Sequence, residues 1–252
     1  MQKRDNRKMW EEKTLSVILP TYRESKSIRK VIEEFELLEI VDEIIVVNNN
    51  AEPGTSEAIS GTKAVEIFET SQGYGAAIKC GIGFTKADLI VICEPDGTFL
   101  PSDLLKLLPF SDRAELVLGS RTVSHFIWSG ANMGLFLKWG NWAVAKLIEV
   151  LFNTSYLSDV GCTFRLVSRT LINRFNIQQF RSDGTFGMEF QLVTAMVKAP
   201  ITQVPVNYHP RVGISGYTGN LIGAFKLGVR MIQIILIYRL SARHIVRKLT
   251  NG

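Results

Sequence analysis

"DLIVICEPDGT" (residues 88–98) runs from a strand into a problem of charge. Residues 88–93 are of strand-forming type, and the run ends in Glu94 and Asp96, two acids separated only by Pro95. An ionised carboxylate is costly to desolvate unless something positive meets it. The pair either lies in water or is placed to hold a cation, and its surroundings decide which.

Those surroundings alternate strand and helix. "LSVILP" (15–20) reads as a buried strand, and "SKSIRKVIEEFELLE" (25–39) as a helix. "EIIVVN" (43–48) and "AVEIFE" (64–69) are further strands, followed by the Gly-opened helix "GYGAAIKCGIGFTKA" (73–87). After the acids, "SDLLKLL" (102–108) reads as a short helix with Ser102 as N-cap, and "ELVLGS" (115–120) as a fifth strand. Apolar strands alternating with helices argue for a mainly parallel sheet covered on both faces. In such sheets ligands gather beyond the carboxyl ends of the strands. Here those ends are "PTYRE", "NNN", "ETSQGYG", "EPDGT" and "GSR", all polar, so all could feed one crevice.

With 252 residues, 46% of them apolar, the chain is sized for one large α/β domain and is not a disordered one. Cys80, Cys93 and Cys162 match no metal spacing and suggest a reducing, cytosolic setting. No signal peptide is visible in the charged first residues. The most apolar stretch, "MIQIILIY" (231–238), is bracketed by Arg230 and Arg239 and falls short of the about 20 residues a span needs. A net charge of +5 is modest, and no nucleic-acid partner is expected. Its placement is more informative. On one continuous helix Arg239, Arg243 and Arg247 would share a face, with Lys226, Arg230 and Gln233 as a polar stripe upstream. Trp128, Trp139 and Trp142 lie in a segment that mixes Trp, Phe, Leu and Lys, the composition of an interfacial helix. Contact with a membrane surface is therefore expected, either directly or through a membrane-protein subunit.

Taken in order, "VILPTYRE", "IIVVNNN", "GYGAAIKCGI", "ADLIVICEPDGT", "LVLGSR", "SDVGCTFRLVSR" and "VPVNYHPRVGISG" resemble the family 2 glycosyltransferases, within them the polyprenyl-phosphate branch. The resemblance spans about residues 15–217 and implies a GT-A (Rossmann-like) fold with an acceptor-side insertion near 122–160. Residues 1–14 would then be an extension, and 218–252 C-terminal amphipathic basic helices. It implies an inverting transferase that moves a sugar from a nucleoside-diphosphate sugar to a lipid phosphate, at the cytosolic membrane face. A UDP-sugar is the favoured donor and a GDP-sugar the other.

Site residues follow from the same resemblance. Pro20, Thr21, Tyr22 and Glu24 would bind base and ribose, with Asn48 and Asn49 standing where the family usually has paired aspartates, and with Gly75, Pro95 and Ser215 nearby. Glu94, Asp96 and Thr98 would hold Mg²⁺ or Mn²⁺, ions that favour hard oxygen ligands. Arg121 and Arg211 would face phosphates, for which guanidinium forks are suited. Ser215-Gly216 replaces a Ser-Lys pair common in the family, which removes one positive charge. Lys138, Asp159, Arg165 and Glu189 fall on the acceptor side. Two other readings stand beside this one. In the first, the acceptor is a sugar hydroxyl and Glu189 or Asp159 is its base. In the second, the chain binds a nucleotide-sugar without catalysis.

Overall fold

The computed structural model describes residues 10, 12–131, 134–154, 156–213 and 221–250. Ser215 and most of the N-terminal extension lie outside them. Strand β1 (Leu15–Thr21) is buried along its whole length, as a strand covered on both faces must be. Helix α1 (Ile28–Glu36) leads to β2 (Glu43–Asn48), and α2 (Thr55–Ile59) to β3 (Val65–Phe68). Helix α3 (Tyr74–Phe84) precedes β4 (Leu89–Ile92), and α4 (Leu104–Leu107) precedes β5 (Leu116–Ser120). The long α5 (Leu135–Phe152) is followed by β6 (Arg165–Ser168), α6 (Arg169–Asn173), α7 (Phe186–Met196) and β7 (Ile201–Pro205). Helices α8 (Leu221–Leu240) and α9 (Ala242–Leu249) complete the described chain.

The seven strands form one sheet in the order β3-β2-β1-β4-β6-β5-β7. Strands β3, β2, β1 and β4 run parallel, as expected from the alternation. Strand β6 runs antiparallel to both β4 and β5, and β7 lies parallel to β5 at the edge. Neither β6 nor β7 was expected, because four or five residues without a long apolar run carry too weak a periodic signal. Period-2 alternation divides the core. Ile18, Ile90 and Ile92 face α3, α5, α7 and α8, while Val17, Leu19 and Val91 face α1 and α4. Buried residues of α8 and α9 (Met231, Ile234, Ile235, Tyr238 and Leu249) belong to the first of these clusters.

The strand order reverses between β1 and β4, and this opens a crevice at their carboxyl ends. It is at this point that "PTYRE" and "EPDGT" emerge. Helix α3 is seated tightly beneath. A Cβ on Gly75 would come within 2.4 Å of the Arg181 carbonyl oxygen and 2.7 Å of Phe186 Cβ. Gly75→Ala is expected to cost on the order of 2–3 kcal/mol by overpacking against backbone, read as a fall in the urea midpoint.

Three local expectations are corrected. Ser102 is exposed in a 3-10 turn (Pro101–Asp103), and Asp103 takes the N-cap position of α4, because Pro101 starts the turn one residue early. Trp128 is not on an interfacial helix: it precedes α5, stacks on His209 at 4.6 Å and donates from its indole to Asn207. The helix is interrupted at Ser241 between α8 and α9, so Arg239 does not share a continuous helix with Arg243 and Arg247, although all three are exposed.

Candidate active site

The acid turn is fixed from three directions. Ser27 at the start of α1 donates to the Pro95 carbonyl at 2.7 Å. Gly97 has φ +78°, a left-handed conformation that lets the chain double back. From the opposite side the loop after β7 docks on it, with Val212 N–H donating to the Asp96 carbonyl at 2.9 Å and His209 N–H to that of Thr98 at 2.8 Å.

Asp96 is fully buried. Its Oδ1 accepts from the Thr98 N–H at 2.9 Å and from the Thr98 hydroxyl at 2.6 Å. Its Oδ2 meets Arg211 Nη2 at 2.6 Å, an ion-pair distance without the alignment of a hydrogen bond. The same nitrogen lies 2.5 Å from Glu94 Oε2. One guanidinium thus bridges two acids. Burial, and then the neighbouring Asp96 charge, push the Glu94 carboxyl up to about 7, and Arg211 only partly offsets them.

A divalent ion fits this chemistry. The pair carries more negative charge than one arginine cancels, and one buried carboxylate oxygen has no hydrogen bond among the described residues. Among the described residues no group of three His, Cys, Asp or Glu is arranged to hold a metal. Glu94 and Asp96 are the residues that would hold such an ion, and one or two carboxylates with phosphates and water is the common arrangement for Mg²⁺. Thr98 supports Asp96, since its hydroxyl is engaged there.

The raised Glu94 value carries a stability consequence. Folding favours the neutral carboxyl, so its contribution is fully present below the unfolded value near 4.5 and is lost as pH rises through about 7. Glu94→Gln is expected to stabilise the ligand-free protein by on the order of 2 kcal/mol at pH 8 and by little at pH 5, read by urea titration.

Around the acids opens a cleft of about 1120 Å³. It brings together Pro20, Thr21, Tyr22, Glu24 and Asn49 from the first strand ends with Glu94, Thr98, Arg121, Arg165 and Arg211. Glu24 shapes its own turn, its Oε2 accepting from the N–H groups of Tyr22 at 2.7 Å and Arg23 at 2.8 Å. Asn49 locks two loops together: its amide donates to the Glu69 and Ser71 carbonyls, and its oxygen accepts from Gly73 N–H.

Arg121 is held bidentately by Asp159, Nε to Oδ2 at 2.8 Å and Nη2 to Oδ1 at 2.9 Å, and it lies over the Tyr208 ring at 5.2 Å. Burial alone would raise the Asp159 pKa, but Arg121 outweighs it and holds the carboxyl below the ordinary range. Gln203 of β7 pins that turn, donating to the Asp159 carbonyl at 2.5 Å and accepting from Ser158 N–H at 2.5 Å.

Several expected ligand contacts are corrected. Asn48 turns from the cleft to Glu66 and Ala51, Gly75 packs against the 181–182 loop, and Pro95 serves through its carbonyl. Lys138 donates to Ser124 and does not reach the cleft, because α5 turns that position outward. Glu189 is buried between the Arg181 N–H and the Tyr238 hydroxyl. Asp159 is equally enclosed, so neither acid is placed to take a proton from an acceptor.

Sequence reasoning missed Gln72, Tyr74 and Asp183, which also line the cleft, and an apolar arm between α5 and α8 that includes Leu137, Val144, Phe225, Met231 and Ile232. Asp183, Gly184 and Gly187 line it from a segment that no strand-end rule points to.

This sheet order, with a cleft at the β1/β4 reversal and an acid pair after β4, is that of the GT-A fold. Residues 16–175 match the model of Glycosyl transferase family 2, and the chain belongs to that family. It is a glycosyltransferase. It is 24% identical over 254 residues to a dolichyl-phosphate beta-glucosyltransferase of Trichomonas vaginalis, covering 90% of this chain and 74% of that one. It is 25% identical over 224 residues to the undecaprenyl-phosphate mannosyltransferase of Micrococcus luteus, covering 84% and 90%. Among solved structures it is similar to Mycobacterium tuberculosis glucosyl-3-phosphoglycerate synthase in complex with Mn²⁺ and UDP-glucose. That match has a TM-score of 0.68 at 18% identity, covering 91% of this chain and 79% of that one.

Proposed function

We propose that the protein transfers a hexose from a UDP-sugar to a polyprenyl monophosphate with inversion, at the inner face of a membrane. The observation that carries this reading is the continuity of the cleft. One end presents arginines and acids suited to a diphosphate, and the other is an apolar arm suited to a prenyl chain. The names of the relatives, which act on dolichyl and undecaprenyl phosphates, support the acceptor class. The UDP-glucose and Mn²⁺ bound by the structural neighbour support the donor and the metal.

Glu94 and Asp96 would hold a divalent ion, whose chemistry is to neutralise charge on the departing diphosphate. The remaining work belongs to the chain itself. Tyr22 offers an aromatic face, 42% exposed, on which a base can stack. An acceptor phosphate oxygen attacks the anomeric carbon. A new carbon–oxygen bond forms as the bond to the diphosphate breaks, and the electron pair leaves with the nucleoside diphosphate. A phosphate monoester, with its second pKa near 6, is already largely ionised at neutral pH. No base is needed, and none of the three histidines lines the cleft. The enclosure of Glu189 and Asp159 favours this acceptor over a sugar hydroxyl.

The outer faces of α5 and α8 expose Trp139, Trp142, Leu236 and Ile237, with exposed Arg243 and Arg247 beyond. Such a face suits peripheral contact with an anionic lipid surface. No described helix is long and apolar enough to cross a membrane. The deciding experiment incubates the protein with radiolabelled UDP-hexoses, Mn²⁺ and either a prenyl monophosphate or the matching prenyl alcohol. Label entering the monophosphate alone is the expected result. Label entering the alcohol as readily as the monophosphate, or entering neither, would overturn the reading.

A further inference from the structure

Arg211 meets both acids from a loop. Strand β7 ends at Pro205, and residues 206–212 continue with no helix or strand beyond a single bridge at Tyr208. A long side chain on such a loop is aimed only if the backbone beneath it is fixed. Part of the fixing comes from the acid turn, through the His209 and Val212 N–H bonds to the Thr98 and Asp96 carbonyls. A further part comes from residues 126–130, which lie between β5 and α5.

The two segments run side by side. Tyr208 N–H donates to the Phe126 carbonyl at 2.8 Å, and Trp128 N–H donates to the Tyr208 carbonyl at 3.0 Å. Ile127 pairs with Tyr208 as a parallel bridge. Trp128 then closes over the loop with its side chain. Its indole stacks on the His209 ring at 4.6 Å, with 22° between the planes, and its Nε1–H donates to Asn207 Oδ1 at 3.1 Å. Asn207 is anchored in turn by the buried carboxylate of Asp103, which accepts from its amide at 2.9 Å. Among the described residues His209 Nε2 is buried without a hydrogen bond, so packing against the indole helps to seat that ring. A Cβ on Gly130 would stand 3.3 Å from Pro210 Cγ, so the segments stay close up to the residue before Arg211.

We propose that Trp128 is a positioning residue for Arg211. The indole does not line the cleft and is 52% exposed, so neither substrate contact nor core packing accounts for its two directed contacts. Those contacts lock residues 207–209 to residues 126–128. They fix the backbone just before the guanidinium that bridges Glu94 and Asp96. A misplacement of about 1 Å at such a group is enough to cost about 100-fold in rate. This inference rests on the proposed function only in taking a nucleoside diphosphate as what Arg211 meets.

Amide hydrogen exchange reads the loop with no ligand present. Trp128→Ala is expected to speed exchange at the His209 and Val212 amides by about 10-fold and to leave the amides of β1 unchanged. Trp128→Phe keeps a ring over His209 and should return most of that protection. Calorimetry with Mn²⁺ and UDP then reads the guanidinium without turnover. Trp128→Ala should weaken UDP binding by about 5-fold, and in an Arg211→Gln background by less than about 2-fold. A residue that acts through Arg211 has nothing left to position there, whereas a merely structural one would cost the same in both backgrounds. In transfer assays the Trp128→Ala loss should fall on kcat/KM for the donor and leave the KM for the acceptor unchanged.

Unchanged exchange at His209 and Val212 would overturn the proposal, and so would Trp128→Phe with no recovery of protection. Full additivity of Trp128→Ala and Arg211→Gln would do the same, by showing that the indole acts elsewhere. If wild type binds no UDP with Mn²⁺, the proposed function falls, while the two exchange rates still decide whether Trp128 holds the loop.

Discussion

Asp96→Asn is expected to lower the rate of sugar transfer by about a thousandfold or more while the protein remains folded. The substitution is nearly isosteric. The Asn oxygen can still accept from Thr98 N–H and hydroxyl, so the turn between β4 and α4 keeps its anchor. What disappears is a carboxylate that is fully buried and, among the described residues, short of a hydrogen bond at one oxygen. A buried negative charge in a low-dielectric pocket is worth far more toward a cation than one in water. Steady-state transfer assays check the rate, and near-UV circular dichroism checks the fold. A variant within tenfold of wild-type turnover would show that the acid pair does not govern the charge of the leaving group. Glu94→Gln serves as the internal comparison. It removes the more exposed acid and spares Asp96, so its rate loss is expected to be about tenfold smaller.

The sheet was legible where its strands are long apolar runs. β1, β2 and β4 are buried on both faces, and composition alone announces that. β6 was not legible, because its identity depends on pairing with β4 and β5 and not on its own four residues. The acid pair was legible because acids after an apolar strand demand an explanation. The partner that answers them, Arg211, lies 117 residues downstream and is brought close by β7 and its loop. Side-chain direction was the weakest point. Asn48 and Asn49 are adjacent in sequence, yet one faces Glu66 and the other the cleft, since neighbouring residues leaving a strand point to opposite sides. Lys138 failed for a similar reason: one position around α5 separates the cleft-lining Leu137 from a residue bonded to Ser124. The apolar arm could not be read at all, because it exists only once α5 and α8 lie side by side.

The second large effect concerns stability. Asp159→Asn is expected to destabilise the protein by about 3–5 kcal/mol, because it leaves the buried Arg121 guanidinium without its counter-charge. Three N–H groups of Arg121 and one of Gly161 converge on the carboxylate, and an amide can accept at only one of its two ends. The Asp159 pKa is depressed in the fold, so the stabilisation is present above the unfolded value near 3.8 and is lost as pH falls through the folded one. The gap between variant and wild type in urea titrations should therefore hold from pH 8 to pH 5 and narrow only below about pH 4. The double variant Arg121→Met/Asp159→Leu separates the two roles of the pair. Replacing both charges with apolar groups of similar size removes the uncompensated cation, so most of the lost stability should return. Transfer should not return with it, because a methionine offers no donor to a diphosphate. If the double variant were stable and active, the pair would be a brace for the 158–161 turn and nothing more. If it were stable and inactive, Arg121 would have to act on the substrate itself.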